Sequence, residues 1–374
     1  MKITQNFDSG NIECLSISDN ANIELAIRKD SNAEYSQWFH YRLTGAKDQS
    51  VAMHITNAHE CSYVEGWENY QAVASYDRET WFRVDSHYDG KQLTIKHQPE
   101  FDSVYYAYFA PYSMERHHDL IAQAQMHEQV EHILLGQTVD GQDMDVLKIG
   151  TDGDNKKVCW MIARQHPGET MAQWWMEGML EALLDQDDPI SKSLLDNAVF
   201  YVVPNMNPDG SKRGNLRANA AGANLNREWL EPSMERSPEV YLVREKMEQT
   251  GMDFCLDVHG DEALPYNFIA GSEGIPDWND ERQALLDFYQ QALITASPDF
   301  QNKVGYDIDK PGEALMTVGT NYLAQAFNTL VMTLEMPFKD TQDTPDELFG
   351  WSPARSQVLG KACLNALYQT LPKL

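Results

Sequence analysis

VCWMIARQHPGETMAQWWMEGMLEALLDQ, residues 158–186, decides the fold. Its first six residues, VCWMIA, are a short, continuously apolar run, the pattern of a strand buried on both faces. From Met171 onward the pattern changes. Met171, Trp174, Trp175, Met179 and Leu183 recur at helical spacing. At the junction His166 and Glu169 stand three residues apart with Pro167 and Gly168 between them. That is the carboxyl end of a strand, where open α/β sheets place their ligand sites. Taken alone, the stretch reads equally well as a turn whose Glu169 favours a helix N-terminus and whose His166 is incidental, since His/Glu pairs at i,i+3 are common by chance.

Downstream the alternation repeats. Strand-like runs at 157–163, 198–204, 254–258 and 329–336 alternate with helix-like runs at 171–184, 238–249, 281–295 and 354–371. The pattern predicts an α/β domain with a mixed sheet flanked by helices. A hairpin, ILLGQTV-DG-QDMDVLKIG, precedes it, and a helix over 114–130 opens it. Upstream, long helical periodicity is absent. Alternation appears at 70–76, 81–84 and 93–96, the last two runs joined by the turn signal YDGK. A small antiparallel β-sandwich over 1–112, followed by a catalytic domain over 113–374, is the expected organisation, and the length suits two domains.

The net charge is −28. Nucleic acids and anionic membranes both need a basic surface, so neither is an expected partner. No signal peptide or membrane-length apolar stretch is present. Cys14, Cys61, Cys159, Cys255 and Cys363 are scattered without a CxxC pair, which excludes a disulfide framework or a thiolate zinc site and fits a reducing cytoplasm.

Polar groups gather at strand ends and loops of the second half: HPGE (166–169), NPDG (207–210), NLNR (224–227) and DVHG (257–260). In a fifth stretch, TLEM (333–336), Glu335 interrupts the apolar run NTLVMTLEMPF. An ionised Glu is seldom buried unless paired or put to use, which makes Glu335 a candidate general base. Two imidazoles and a carboxylate, with one position left for water, form a catalytic zinc set. His166 and Glu169 supply a local pair. His259, ending a strand able to neighbour 157–163, is the natural third ligand.

These residues resemble the zinc metallocarboxypeptidases of the carboxypeptidase A type, and are most similar to their cytosolic carboxypeptidase branch. The resemblance covers about 113–374 and extends to the leader ending in AYFAPYSMER. It implies one zinc per chain held by His166, Glu169 and His259, with Glu335 as the general base. It implies that Arg217 in GNLRAN polarises the scissile carbonyl and that Asn226 and Arg227 grip the substrate's terminal carboxylate. Peptides or protein C-terminal tails are the implied substrates. Where many relatives carry an Asp bonded to the first zinc His, this chain has Asn224, which accepts the same N–H without a charge. The family's mobile tyrosine has no clear counterpart; Tyr306 and Tyr322 both stay open. Relatives that remove acidic residues carry a basic side chain about fifteen residues before the base. That position is Thr320 here, leaving Lys212 or Arg213 as substitutes from another loop.

A zinc acylase of the aspartoacylase or succinylglutamate desuccinylase type shares the ligand plan and is the alternative; NPDG and the large leader favour the carboxypeptidase. A silent binding module would be expected to lose a ligand or the base, and this chain keeps all of them. His117 and His118 read as a solvated helix face or an interface, and His40, His54, His59, His87 and His97 as ordinary surface or core residues. The run 152–155 reads as a turn rather than a calcium loop, because the remaining ligand positions are missing.

Overall fold

The alternating runs of the leader fold into two five-stranded sheets in the computed structural model, which describes residues 1–374. Ten strands build them: β1 (Lys2–Thr4), β2 (Glu13–Asp19), β3 (Asn22–Ala26), β4 (His40–Thr44), β5 (Val51–Ile55), β6 (Val73–Ser75), β7 (Phe82–Arg83), β8 (Ser86–Tyr88), β9 (Leu93–His97) and β10 (Ser103–Ala107). One sheet runs β1-β4-β10-β6-β7 and is antiparallel throughout. The other runs β2-β3-β5-β9-β8 and contains one parallel pair, β3 with β5. The YDGK turn joins β9 to β8, not to the run at 81–84, which lies in the other sheet as β7. Arg83 explains the difference. Its buried guanidinium donates to the carbonyls of Gln71, Phe338, Phe349 and Trp351, and so ties β7 to the second half of the chain.

That half opens with α1 (Met114–Ala124), capped by the Ser113 hydroxyl, which accepts the Arg116 N–H. The helix stops six residues short of the expected end because the chain turns at 124–129 to start β11 (Val130–Gln137). Next come β12 (Asp143–Ile149), β13 (Lys157–Ala163), α2 (Thr170–Leu183), α3 (Pro189–Asn197), β14 (Ala198–Val203), α4 (Pro208–Arg213), α5 (Pro238–Thr250) and β15 (Phe254–Asp261). The chain closes with β16 (Phe268–Ala270), α6 (Asp280–Ala296), α7 (Gly319–Phe327), β17 (Leu330–Pro337) and α8 (Pro353–Thr370). The run 152–155 is an exposed turn between β12 and β13. No helix is long and apolar enough to cross a membrane.

The seven strands of this half run β11-β12-β14-β13-β15-β17-β16, with the central four parallel. Period-2 alternation lets β13 serve two cores. Cys159, Met161 and Ala163 face one core with α2, α6 and α8; Trp160 and Ile162 face the other with α5 and α7. The first core continues without a break into the leader, where Tyr108 stacks on Phe338 at 4.5 Å between ring centroids. From β13 the chain moves to β14 on one side and later returns to β15 on the other. This reversal opens a crevice at the carboxyl ends of the strands, the place where such sheets bind ligands.

Candidate active site

The turn that leaves β13 is held open by Arg164, whose backbone is left-handed, φ +61°. A non-glycine residue adopts that conformation only when its surroundings dictate it. The guanidinium is fully buried and donates to the carbonyl of Pro167 (3.0 Å), to that of Tyr112 (2.9 Å) and to Oε1 of Gln173 on α2 (2.6 Å). Burial pulls it down to about 10, still charged at neutral pH. The turn thus projects His166 and Glu169 over the sheet edge. Gly168 lets it pack against the next loop: its N–H donates to the Leu216 carbonyl at 2.8 Å, and a Cβ there would stand 2.9 Å from that oxygen.

His166, Glu169 and His259 are brought together, their ligand atoms all within 4.8 Å of one another. The two Nδ1 atoms are 3.2 Å apart, and they lie 2.7 and 2.8 Å from the Glu169 oxygens. The far nitrogen of each ring is committed. His166 Nε2 faces Oδ1 of Asn224 at 3.0 Å, an oxygen whose orientation is set because it also accepts the Asn226 N–H. His259 Nε2 faces Oδ2 of Asp257 at 3.0 Å. Both far nitrogens therefore donate, which leaves both Nδ1 lone pairs pointing at each other and at a carboxylate. Two imidazole nitrogens and a carboxylate thus converge on one point, a donor set that fits a zinc ion. Two nitrogens bound to tetrahedral zinc at about 2.05 Å would sit about 3.3 Å apart, close to what the chain provides.

Burial and the neighbouring charges shift each of these groups. Burial, then the Arg217 charge, lowers His166 to about 4, so it is neutral. Glu169 stays far below the usual carboxylate range because the two imidazoles outweigh its burial. For His259, burial lowers the ring but Asp257 and Glu169 lift it well above its ordinary value. Glu335 stands opposite His259 in the β15–β17 register, on the same face of the sheet. It is buried, and its Oε2 has no hydrogen-bond partner. Burial first, with Glu169, Asp261 and Glu262 adding to it, pushes its carboxyl well up.

Arg217 approaches from the loop after α4. Its guanidinium makes no ion pair or hydrogen bond and lies over the ring of Tyr63 at 5.4 Å. Asn226 is buried; its side-chain oxygen accepts the Gly319 N–H at 2.9 Å, and its NH₂ has no protein partner. Arg227 is exposed and unpaired except for one bond from Nη1 to the Asn226 carbonyl, 2.7 Å. Of the two open tyrosines, Tyr306 bonds Asp261 at 2.7 Å on the site side, whereas Tyr322 lies under Arg244 at 5.0 Å. Arg213 is spent in a paired contact with Asp140 (2.7 Å from each nitrogen), and the Thr320 hydroxyl bonds Thr333 at 2.5 Å.

Several supporting residues carry no spacing signal. Gln165 donates to Asp257 (2.6 Å) and accepts from Trp229 (2.9 Å), which locks the carboxylate behind His259. His117, expected on a solvated face or an interface, is buried between Gln173 (3.0 Å) and Asp145 (3.2 Å); His118 beside it is exposed. Asn219 shapes the loop from Arg217 to Arg227 and donates to Glu239 at 3.1 Å. Burial lifts Glu239 to about 7, with Asp209 and Asp140 adding to the rise. A folded value above the free one means that this group's stabilisation is complete below about pH 4.5 and lost as pH rises through about 7. Glu239→Gln should therefore match the parent in urea denaturation at pH 5 and exceed it by about 1–3 kcal/mol at pH 8.5.

Both halves of the chain match known protein families. Residues 3–109 match the family described as cytosolic carboxypeptidase N-terminal domain, and residues 117–303 match zinc carboxypeptidase. The chain belongs to the zinc carboxypeptidase family, and that match favours the carboxypeptidase over the acylase sharing the ligand plan. A metallo-carboxypeptidase from Burkholderia cenocepacia superposes with a TM-score of 0.98 at 48% identity, covering 100% of both chains. A metallo-carboxypeptidase from Pseudomonas aeruginosa, solved with (2-guanidinoethylmercapto)succinic acid, gives 0.98 at 44% identity, again covering 100% of both. An uncharacterized protein of Zymomonas mobilis is 50% identical over 374 residues, 100% of this chain and 97% of that one. Mouse cytosolic carboxypeptidase 6 is 27% identical over 79% of this chain, which spans 59% of that protein's length.

Proposed function

We propose that this chain releases residues one at a time from the free C-termini of peptides or protein tails, using one zinc per chain held by His166, Glu169 and His259. The observation that carries this reading is the convergence of His166, Glu169 and His259 on one point, with Glu335, buried and without a partner on Oε2, opposite His259. A zinc ion there supplies Lewis-acid polarisation of a water and of the scissile carbonyl. Glu335 is placed to take a proton beside His259 and return it to the leaving amine. Arg217, desolvated and free, faces the oxygen that gains charge; one such donor is worth about 3 kcal/mol in the transition state. Asn226 and Arg227 hold the terminal carboxylate, for which a planar guanidinium fork is better suited than an ammonium. The succinic acid compound bound by the Pseudomonas relative carries carboxylates of the kind such a fork accepts. All five cysteines are free thiols, which suits the cytoplasm as the place of work.

The end of the substrate provides the test. Amidating a peptide's C-terminus removes the partner of a guanidinium that binding has desolvated. Breaking such a pair costs roughly 2–5 kcal/mol, so amidated peptides should be cut at least ~30-fold more slowly. Arg227→Ala should erase most of that discrimination by slowing the free-acid peptide alone. Mass spectrometry over time should show a ladder shortening by single residues. Early internal cuts, or equal rates on acid and amide, would sink the exopeptidase reading and leave a zinc hydrolase.

A further inference from the structure

The loop that carries Arg217 is held by the leader as well as by the domain it belongs to. Ser9 N–H donates to the Lys212 carbonyl at 3.0 Å, and the Asn11 amide to the Gly214 carbonyl at 2.8 Å. Ser31 N–H reaches Asn215 at 3.1 Å, and the Asn32 amide reaches the Ala220 carbonyl at 2.9 Å. Gly222, at φ +85°, lies so close to the Asn32 carbonyl that a Cβ would stand 2.2 Å from its oxygen. At the centre is Asp30. Its Oδ1 accepts the N–H of Leu216 at 2.6 Å, and its Oδ2 accepts those of Arg217 and Ala218 at 2.7 and 2.8 Å.

Successive backbone N–H groups converging on one point form an anion-binding nest. Here the anion is a side chain 187 residues earlier in the same chain. Three donors need an acceptor that carries no proton, and those donors oppose the burial that raises the carboxyl to about 6, so it is ionised at neutral pH. The guanidinium of Arg217 has no protein partner except the face of Tyr63, a second leader residue. We propose that Asp30 and Tyr63 are positioning residues that aim Arg217, Asp30 through its backbone and Tyr63 through its ring, so that the leader completes the active site. The inference rests on the role proposed above for Arg217. A donor must meet the charged oxygen to within a fraction of an ångström, and a 1 Å error costs on the order of 10²-fold in rate. A loop tied by one carboxylate meets that demand; a loose one does not.

The test is a double-mutant cycle on the zinc-loaded full chain, with kcat, KM, zinc content and Tm measured for each protein. Asp30→Asn keeps the shape but offers one acceptor oxygen and a clashing NH₂. It should lower kcat at least ~10-fold with KM within ~3-fold and zinc unchanged. Added to Arg217→Ala it should lower kcat no further. Tyr63→Leu lies away from the hydrogen-bonded interface and should show the same signature, which keeps the inference testable where Asp30→Asn folds poorly. Multiplicative losses in both double mutants, or an unchanged kcat in the folded single mutants, would overturn the positioning role and leave Arg217 as read. An unchanged kcat in Arg217→Ala would overturn both.

Discussion

Glu335→Gln protein should retain zinc and bind peptides as the parent does, yet turn them over at least ~10²-fold more slowly. The substitution changes one atom in a buried side chain that sits opposite His259 in the register and has no partner on Oε2. An amide there cannot take a proton, but it fills the same space, so β15, β17 and the ligand triad keep their geometry. On the proposed reading Asn226 and Arg227 hold the substrate's end, and Glu335 touches neither, so KM should move little while kcat collapses. In zinc-free protein folding itself should become easier, because a carboxyl pushed well up by burial is replaced with a neutral group. The zinc-free variant should therefore melt no lower than the zinc-free parent. Calorimetry with a slowly cut peptide and metal analysis of the same sample make the check. Zinc and turnover lost together would make Glu335 a ligand instead of a base.

Why that carboxylate was legible in the sequence while Asp30 was not is a matter of range. Glu335 interrupts a run of apolar residues in a parallel strand, a local contradiction that the two-faced burial of such strands makes visible. His166 and Glu169 are marked by the change from strand to helix period at 163–171, and His259 by the end of the next apolar run. The sheet order that joins β13 to β15 then follows from ordinary α/β connection rules. Asp30 and Tyr63 lie in irregular segments of the leader, and their partners are more than 150 positions away. No periodicity connects such groups, and only the fold brings them together. Arg164 is an intermediate case: its place beside the ligand turn was plain, but its left-handed backbone and its hold on Gln173 are tertiary facts. The short elements α3, α4, α7 and β16 also escaped, since three to nine residues are too few to display a period. The hairpin partner of β9 was misjudged because turn chemistry reports that a chain reverses but not which sheet receives it.

His259→Ala should strip the metal. Removing one of three protein ligands leaves a His–Glu pair, and two-ligand zinc sites are weak, so zinc per chain should fall from about one to below about a tenth after dialysis, with activity lost in proportion. The fold should survive, because β15 is anchored by Phe254, Leu256 and Val258 in one core and Cys255 in the other, and neither core contains a ligand. The remaining stability difference should equal the linkage term, which amounts to about 4 kcal/mol when free zinc is a thousandfold above Kd. Hence the variant should melt where chelated parent melts, and added zinc should raise the Tm of the parent alone. Asp257→Asn grades the same argument. Its Oδ2 accepts from His259 Nε2 at 3.0 Å and from Gln165 at 2.6 Å, so it orients the ring and strengthens its lone pair without touching the metal. Loss of that charge should weaken zinc binding by about 10- to 100-fold, the usual range for such partners, and leave a site that refills at higher zinc. Competition with a zinc-binding dye gives both constants. Full occupancy in His259→Ala would mean that the third ligand lies elsewhere, and equal affinity in Asp257→Asn would mean that the ring is held by packing alone.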